Sequence, residues 1–222
     1  DGVATQKQWE ASWFFYGPGD VKYRDLNGDG VIDFGANSLD DHGDLRVIGN
    51  STPRYQYGVR LGAEWKGIEL SLFIQGVGKR DFWANGPLVI PGYRIGEAWY
   101  QHQLDYWSED NPNAFYPRPT DQAQSNNTRN FLPQTKYLLD MSYTRLKNVT
   151  LGYTLPAKLI SKVKMNTARV YVSAENLFEI DNLDVPIDPE TNYTVPGLND
   201  PNTFGRVYPY RRTISFGLQV SF

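Results

Sequence analysis

The chain has no cysteine and only two histidines, His42 and His102, in 222 residues. Disulfides and thiolate metal sites are therefore excluded. Neither histidine has an acid or thiol at a zinc or nucleophile spacing, so no catalytic constellation can be assembled from this stretch. No run approaches the roughly 18 apolar residues of a membrane-spanning helix, and mean hydropathy is -0.53. Helical spans are excluded, but short alternating strands, whose hydropathy averages out, are not. The formal net charge of -3 offers no cationic surface to nucleic acid. What is abundant is aromatic and turn chemistry: 15 Tyr, 11 Phe, 6 Trp, 20 Gly and 14 Pro.

The last stretch, 210–222, alternates cleanly. Phe222, Val220, Leu218, Phe216, Ile214 and Tyr210 share one parity, interrupted by Arg212, while Ser221, Gln219, Gly217, Ser215, Thr213 and Arg211 share the other. A period of two is a strand. Aromatics at the ends, aliphatics between and small polar residues opposite are how a barrel strand separates lipid from a wet lumen. The terminal aromatic Phe222 is the residue type that outer-membrane assembly reads, and it is the expected assembly signal.

Residues 54–78 carry the clearest pattern. Tyr55, Tyr57, Val59, Leu61, Ala63 and Trp65 oppose Gln56, Gly58, Arg60, Gly62 and Glu64; after Lys66-Gly67, the residues Ile68, Leu70, Leu72 and Ile74 continue the apolar face. A two-residue turn there pairs Trp65 with Ile68, Ala63 with Leu70, Leu61 with Leu72 and Val59 with Ile74, so the register is fixed by burial. Glu64 and Glu69 then lie side by side, and the expectation is a pair of solvated carboxylates. Strands are also expected at 142–154, 168–178 and 210–222, with a bulge near Lys147-Asn148, because Leu146 leaves the parity of Val149, Leu151 and Tyr153.

Residues 1–53 read as an excursion rich in Gly, Asp and Asn, with an aromatic run at Trp13, Phe14, Phe15 and Tyr16. It contains DLNGDGVID at 25–33. Oxygens from Asp25, Asn27 and Asp29, Gly30 at the sharp turn, the Val31 carbonyl and Asp33 match the spacing of a calcium loop. Position twelve is Ala36, so another acid must close the site; Asp40, Asp41 and Asp44 are at hand. The expectation is a structural Ca2+ held by Asp25, Asn27, Asp29, Val31, Asp33 and Asp44. A second excursion, 79–141, reads as helical only over 97–108, and its Trp83, Tyr93, Trp99 and Trp107 are candidate ligand-stacking residues. The third, 179–209, is punctuated by Pro186, Pro189, Pro196 and Pro201.

Connections after residues 65 and 154 are short, whereas 1–53, 79–141 and 179–209 are long. Strict alternation of short and long connections is the signature of an up-and-down barrel with short periplasmic turns and long external loops. Five strands cannot close, so the chain is expected to be the C-terminal part of a larger transmembrane barrel, with 1–53 an extracellular loop region and 54–222 barrel strands and loops. A secreted, calcium-stabilised, carbohydrate-binding β-sandwich is the alternative; it accounts for the aromatics and the Asp loop but not for the one-sided loops. A barrel enzyme or passive porin is a further alternative.

Several stretches carry a more specific resemblance: Gly19-Asp20 with Lys22-Tyr23 and DLNGDGVID, Val47-Ile48-Gly49-Asn50 with Pro53-Arg54-Tyr55, Gln75-Gly76-Val77-Gly78, and Tyr106-Trp107 with Tyr116-Pro117-Arg118. Beyond them come SYTRLKNVTLGYTLP at 142–156, Glu175-Asn176-Leu177-Phe178, Asp188-Pro189-Glu190 and Tyr208-Pro209. The chain resembles the C-terminal end of the SusC/RagA family of TonB-dependent outer-membrane transporters. The resemblance implies an all-β fold, a 22-stranded barrel with a plug, and a Gram-negative outer-membrane location in contact with lipid. It also implies a SusD-like surface lipoprotein as partner, the TonB complex engaged through the remainder of the protein, and import of oligosaccharides or peptides without enzymatic activity. Arg60, Gln56, Gln75, Tyr171 and Glu175 are expected to face the lumen.

Overall fold

The computed structural model describes residue 6 and residues 15–93, 98–119, 129–193, 204–205 and 207–222. Contacts divide the chain into two compact units. One comprises Asp1–Gly49, Trp83–Leu138 and Tyr193–Arg206; the other comprises Asn50–Phe82, Leu139–Asn192 and Val207–Phe222. Grouping thus follows long-range contacts, with residues 83–138 joining the first 49 rather than the strands that flank them.

The second unit is an antiparallel sheet. Strand β1 (Gln56–Trp65) turns into β2 (Ile68–Val77) through Lys66 and Gly67, both left-handed at φ 50° and 83°. Two left-handed residues make the turn whose twist matches a hairpin, and Gly67 has no room for a side chain, since a Cβ there meets the Thr154 carbonyl at 2.8 Å. All the pairs expected for this hairpin form, from Trp65 with Ile68 to Val59 with Ile74.

Strand β2 pairs with β5 (Tyr143–Thr154), and the register shifts where Phe73 faces Asn148 but Ile74 faces Leu146. Lys147 is the extra residue, so the expected bulge is present and returns Leu146 to the apolar row. Strand β6 (Thr167–Glu175) pairs with β5, and β8 (Thr213–Ser221) pairs with β6. After left-handed Asn176 the chain resumes as β7 (Glu179–Asp181) along the first residues of β5. The final strand begins at Thr213 rather than 210, because the Tyr210 amide is taken by the Asp188 carboxylate at 3.0 Å instead of a neighbouring strand. The small pair β3 (Asp81–Phe82) and β4 (Leu139–Asp140) completes the strands.

The spatial order is β1-β2-β5-β6-β8. Reading the registers across this order, Ala63, Leu70, Leu151, Val172 and Phe216 form one apolar row; Leu61, Leu72, Val149, Ala174 and Ile214 form the next. Trp65, Ile68, Tyr153, Val170 and Leu218 form a third. The opposite face carries Gly62, Ser71, Thr150, Ser173 and Ser215. The apolar face is open: Phe216 is 84% and Leu218 67% exposed. A sandwich would bury this face under a second sheet, and none covers it among the described residues. Both outer strands, β1 and β8, have one unpaired edge there as well. An open antiparallel sheet with a lipid-compatible face is the arrangement of a partial barrel, and the sandwich alternative fails on it.

Candidate functional site

On the polar side of the sheet the central group is Arg145, 2% exposed. It lies in β5 before the bulge, opposite Gln75 on one side and Glu179 on the other. Its guanidinium meets three carboxylates: Glu179, Asp188 at 2.9 Å and Glu190 at 2.5 Å. Lys147 adds a bond to Glu190 at 3.0 Å. Asp188 also accepts the amides of Glu190 at 2.9 Å and Tyr210 at 3.0 Å. Arg80, likewise buried, donates to the Thr191 carbonyl and to the Asn192 side chain, each at 3.2 Å. Buried charge is tolerated because Arg145 is paired with carboxylates and Arg80 is hydrogen-bonded to carbonyls and Asn192. The physical result is a clamp: the segment from Glu179 to Asn192 is fastened to the sheet by Arg145, Lys147 and Arg80.

At the hairpin-turn end of the sheet, Glu69 pairs with Arg169. The expected pair of solvated carboxylates is therefore corrected: Glu69 lies beside Glu64 in the hairpin, but reaches across Gly152 to a cation. A Cβ at Gly152 would meet the Glu69 carboxylate at 2.5 Å, and one at Gly217 would meet the Tyr171 ring at 2.1 Å. Glycine at both positions lets long polar side chains lie flat on the sheet.

The first unit contains a cavity of about 680 Å³. Its wall is set by long-range bonds from loop to loop. Asn130 accepts the Val21 amide at 2.9 Å, Tyr23 donates to the Arg129 carbonyl at 2.8 Å, and Arg118 pairs with Asp20 at 2.8 Å. Trp107 packs flat on Gly19, where a Cβ would meet its ring at 2.4 Å. Burial pushes the Tyr23 and Tyr137 phenols well above their ordinary values. Burial also lowers the Lys136 ammonium, opposed by Asp105, and that ammonium rests 5.2 Å from the Tyr137 ring centre.

The 25–44 loop is folded on its own amides. Asp25 accepts from Gly28 at 2.6 Å and Gly30 at 2.9 Å, Asp29 from Val31 at 2.8 Å, and Asp33 from Gly35 at 2.7 Å. Asn27 donates to Asp29 at 3.0 Å. Of the three acids available to close the loop, Asp44 folds back, accepting Leu26 at 2.6 Å and Asp33 at 2.8 Å; Asp41 instead takes the Ala36 amide at 3.0 Å. Among the described residues no three His, Cys, Asp or Glu converge as a metal-holding group.

The stacking candidates do not form one platform. Trp107 lines the cavity but is spent on Gly19. Trp99 meets Tyr106 edge-on at 5.6 Å, and Trp83 and Tyr93 are half-buried away from the cavity wall. The expected helix over 97–108 reduces to a short 3-10 turn, Gln101–Leu104, with residues 94–97 outside the described set. Gln103 explains the loss: its side chain accepts the Tyr100 amide at 3.0 Å and donates to the Pro87 carbonyl at 2.6 Å, and Asp105 accepts from Asn111 and Phe115. Trp13 and Phe14 also lie outside the described residues. Phe222 stands one residue past β8, exposed. The Arg145 clamp and the loop cavity were missed by sequence reasoning. A signal for the clamp existed, an arginine on the polar parity beside a bulge together with the acids of Asp188-Pro189-Glu190.

No protein-family model matches the chain. TonB-dependent receptor P3 of Formosa agariphila is 32% identical over 212 residues, covering 92% of this chain and 19% of that protein. TonB-dependent receptor P26 of the same organism is 30% identical over 213 residues, covering 92% and 20%. The chain thus spans about a fifth of the length of the curated relatives it matches. The RagAB peptide transporter superposes with a TM-score of 0.59 at 28% identity, over 81% of this chain and 18% of that one. The open-open state of the RagAB peptide importer gives 0.55 at 27%, over 83% and 19%. On sequence, strand order and fold together, the chain belongs to the TonB-dependent receptors and corresponds to part of a SusC/RagA-type barrel.

Proposed function

We propose that this chain is a sector of the wall and loops of an importer that carries nutrient oligomers across the outer membrane. The observation that carries the reading is the apolar face running unbroken across β1, β2, β5, β6 and β8, with small and polar residues opposite. Such a sheet is stable against lipid outside and water inside, and has no stable use for that face in water. Oligosaccharides and peptides are the two cargo classes of the proposal. The peptide class has the support of the RagAB neighbours, which are peptide transporters. A SusD-like lipoprotein as lid and the TonB complex as energy source belong to the same proposal, through relatives named for TonB dependence. The chain's part is structural and selective rather than catalytic: the sheet bounds the lumen, and the Arg145 clamp holds the segment 179–192 against it.

Calcium binding at 25–44 is kept as a separate proposal, supported by the residue spacing and by the Asp25–Gly30 bond at the sharp turn. Ligation would add the metal to carboxylates that already accept loop amides, Asp29 from Val31 and Asp33 from Gly35.

The test is made in cells that make the full-length protein. The tagged protein should fractionate with outer membranes, copurify with a lipoprotein in detergent, and support uptake of labelled peptide that stops when the proton gradient is collapsed. A protein that is soluble without detergent refutes the reading.

A further inference from the structure

The short connection between β5 and β6 carries a charge pattern that the importer reading does not use. From Leu155 to Asn166 it reads LPAKLISKVKMN, lysines without an acid. It forms a helical turn, Ala157–Ile160, continued by a 3-10 turn, Ser161–Val163, and leaves through Lys164 in the left-handed conformation at φ 59°. The helical turn packs on β6. Ile160 is buried, and so is Ala168 on the apolar parity of β6, whereas Val170 and Val220 beside it are open. That places the turn on the lipid-facing side, at the end of the sheet.

What the turn leaves open is amphipathic. Leu159 and Val163, four residues apart, are 59% and 57% exposed, and Lys158, Lys162 and Lys164 are exposed beside them. None of these three ammonium groups enters an ion pair or hydrogen bond among the described residues. The hairpin turn adds a fourth cation, Lys66, which lies over the Trp65 ring at 4.6 Å. The two turns are joined, the Thr154 amide donating to the Gly67 carbonyl at 2.8 Å. The acids at this end, Glu64 and Glu69, lie on the polar parity, and Glu69 is already paired with Arg169. Lys66, Lys158, Lys162, Lys164 and Arg169 outnumber them even when a main-chain carboxylate at Phe222 is counted in.

The neighbouring lipid-facing row carries Trp65 and Tyr153, the residue types that sit at headgroup level. Cations just beyond that row stand at phosphate depth, and lysine stems can lie along the interface to reach it. A zwitterionic headgroup offers such a cluster no net charge; an anionic one does. We infer that the β5–β6 connection, with Lys66, is an interfacial anchor that binds anionic phospholipid headgroups, Leu159 and Val163 entering the acyl boundary beneath them. By the polarity of the loops the lipid belongs to the periplasmic leaflet. This role rests on the barrel reading and adds to it the choice of a headgroup class.

The experiment uses the full-length protein with S161C as its only cysteine, labelled with bimane and reconstituted into phosphatidylcholine vesicles. About 10 mol% of the lipid carries a nitroxide high on its acyl chain, on phosphatidylglycerol in one sample and on phosphatidylcholine in the other. In about 50 mM salt the phosphatidylglycerol quencher should be about threefold more effective, and the difference should fade near 0.5 M salt as the charges are screened. K158Q/K162Q/K164Q should remove the difference and leave quenching by the phosphatidylcholine probe unchanged, since all three side chains are exposed. Equal quenching by the two lipids, a difference undiminished in the triple variant, or no quenching by either lipid each overturns the inference. Heat-modifiable gel mobility of the same vesicles separates the two readings. A folded, inserted protein with equal quenching removes this site alone, whereas a protein that never enters the vesicles removes the barrel reading with it.

Discussion

Placing an arginine at Phe216 puts the lipid-facing reading at risk most sharply. Phe216 lies midway between Tyr210 and Phe222, in the row of Ala63, Leu70, Leu151 and Val172. At about 3.4 Å per residue and a strand tilt of about 40°, it stands roughly 16 Å along the membrane normal from Phe222, well inside a band about 25 Å tall. In water, replacing a side chain that is 84% exposed would cost almost nothing. In lipid, an arginine near the midplane costs about 2–4 kcal/mol. Ser215→Arg is the matched control, one residue away on the polar face beside Ser173, and should stay within about 0.5 kcal/mol. The assay is urea unfolding of the full-length protein in bilayers, read by heat-modifiable gel mobility. Equal effects of the two substitutions would refute the assignment of faces.

Arg145→Met leaves Glu179, Asp188 and Glu190 around an uncharged side chain; a loss of about 3 kcal/mol is expected, with proteolytic cleavage appearing within 179–192. Gly217→Val drives a side chain into the Tyr171 ring, and should reduce folded protein in the outer membrane while Ser215→Val does not. Tyr23 and Tyr137 should stay un-ionised when the folded protein is taken past pH 10, as read by phenolate absorbance. Because burial raises both phenols, their protonated state favours the fold fully below the ordinary phenol range, and that contribution declines as pH rises beyond it. If the 25–44 loop binds calcium, D25A/D29A should lower metal content in equilibrium dialysis by one ion per protein; an unchanged content ends that proposal.

The sheet was legible because its constraints are local and periodic. A two-residue turn at Lys66-Gly67 leaves the hairpin one register that keeps Val59, Leu61 and Leu72 on the same face, and the parity slip at Leu146 exposed the bulge at Lys147. The loops obey no such period. Their form comes from single side chains that reach backbone groups about a hundred residues away, as Asn130 does to Val21 and Tyr23 to Arg129. The helical spacing of Trp99, Leu104 and Trp107 lost to the same kind of bond, through Gln103. Arg145 was visible as a polar-face arginine, but its three carboxylates come from a loop whose path the sequence does not dictate. The spacing at 25–33 was read as a calcium loop; in the structure its carboxylate oxygens accept the turn's own amides, a local arrangement that the sequence pattern does not spell out.

The most direct test of the barrel assignment uses the absence of cysteine from this stretch. Single cysteines are introduced in turn at positions 213–221 of the full-length protein, spin-labelled, and returned to lipid vesicles. Collisions with oxygen, which dissolves in lipid, and with a water-soluble nickel chelate are then measured by electron paramagnetic resonance. The account predicts alternation with period two: Ile214, Phe216, Leu218 and Val220 accessible to oxygen, and Thr213, Ser215, Gly217 and Gln219 accessible to the chelate. Uniform access to the chelate on both parities would contradict it.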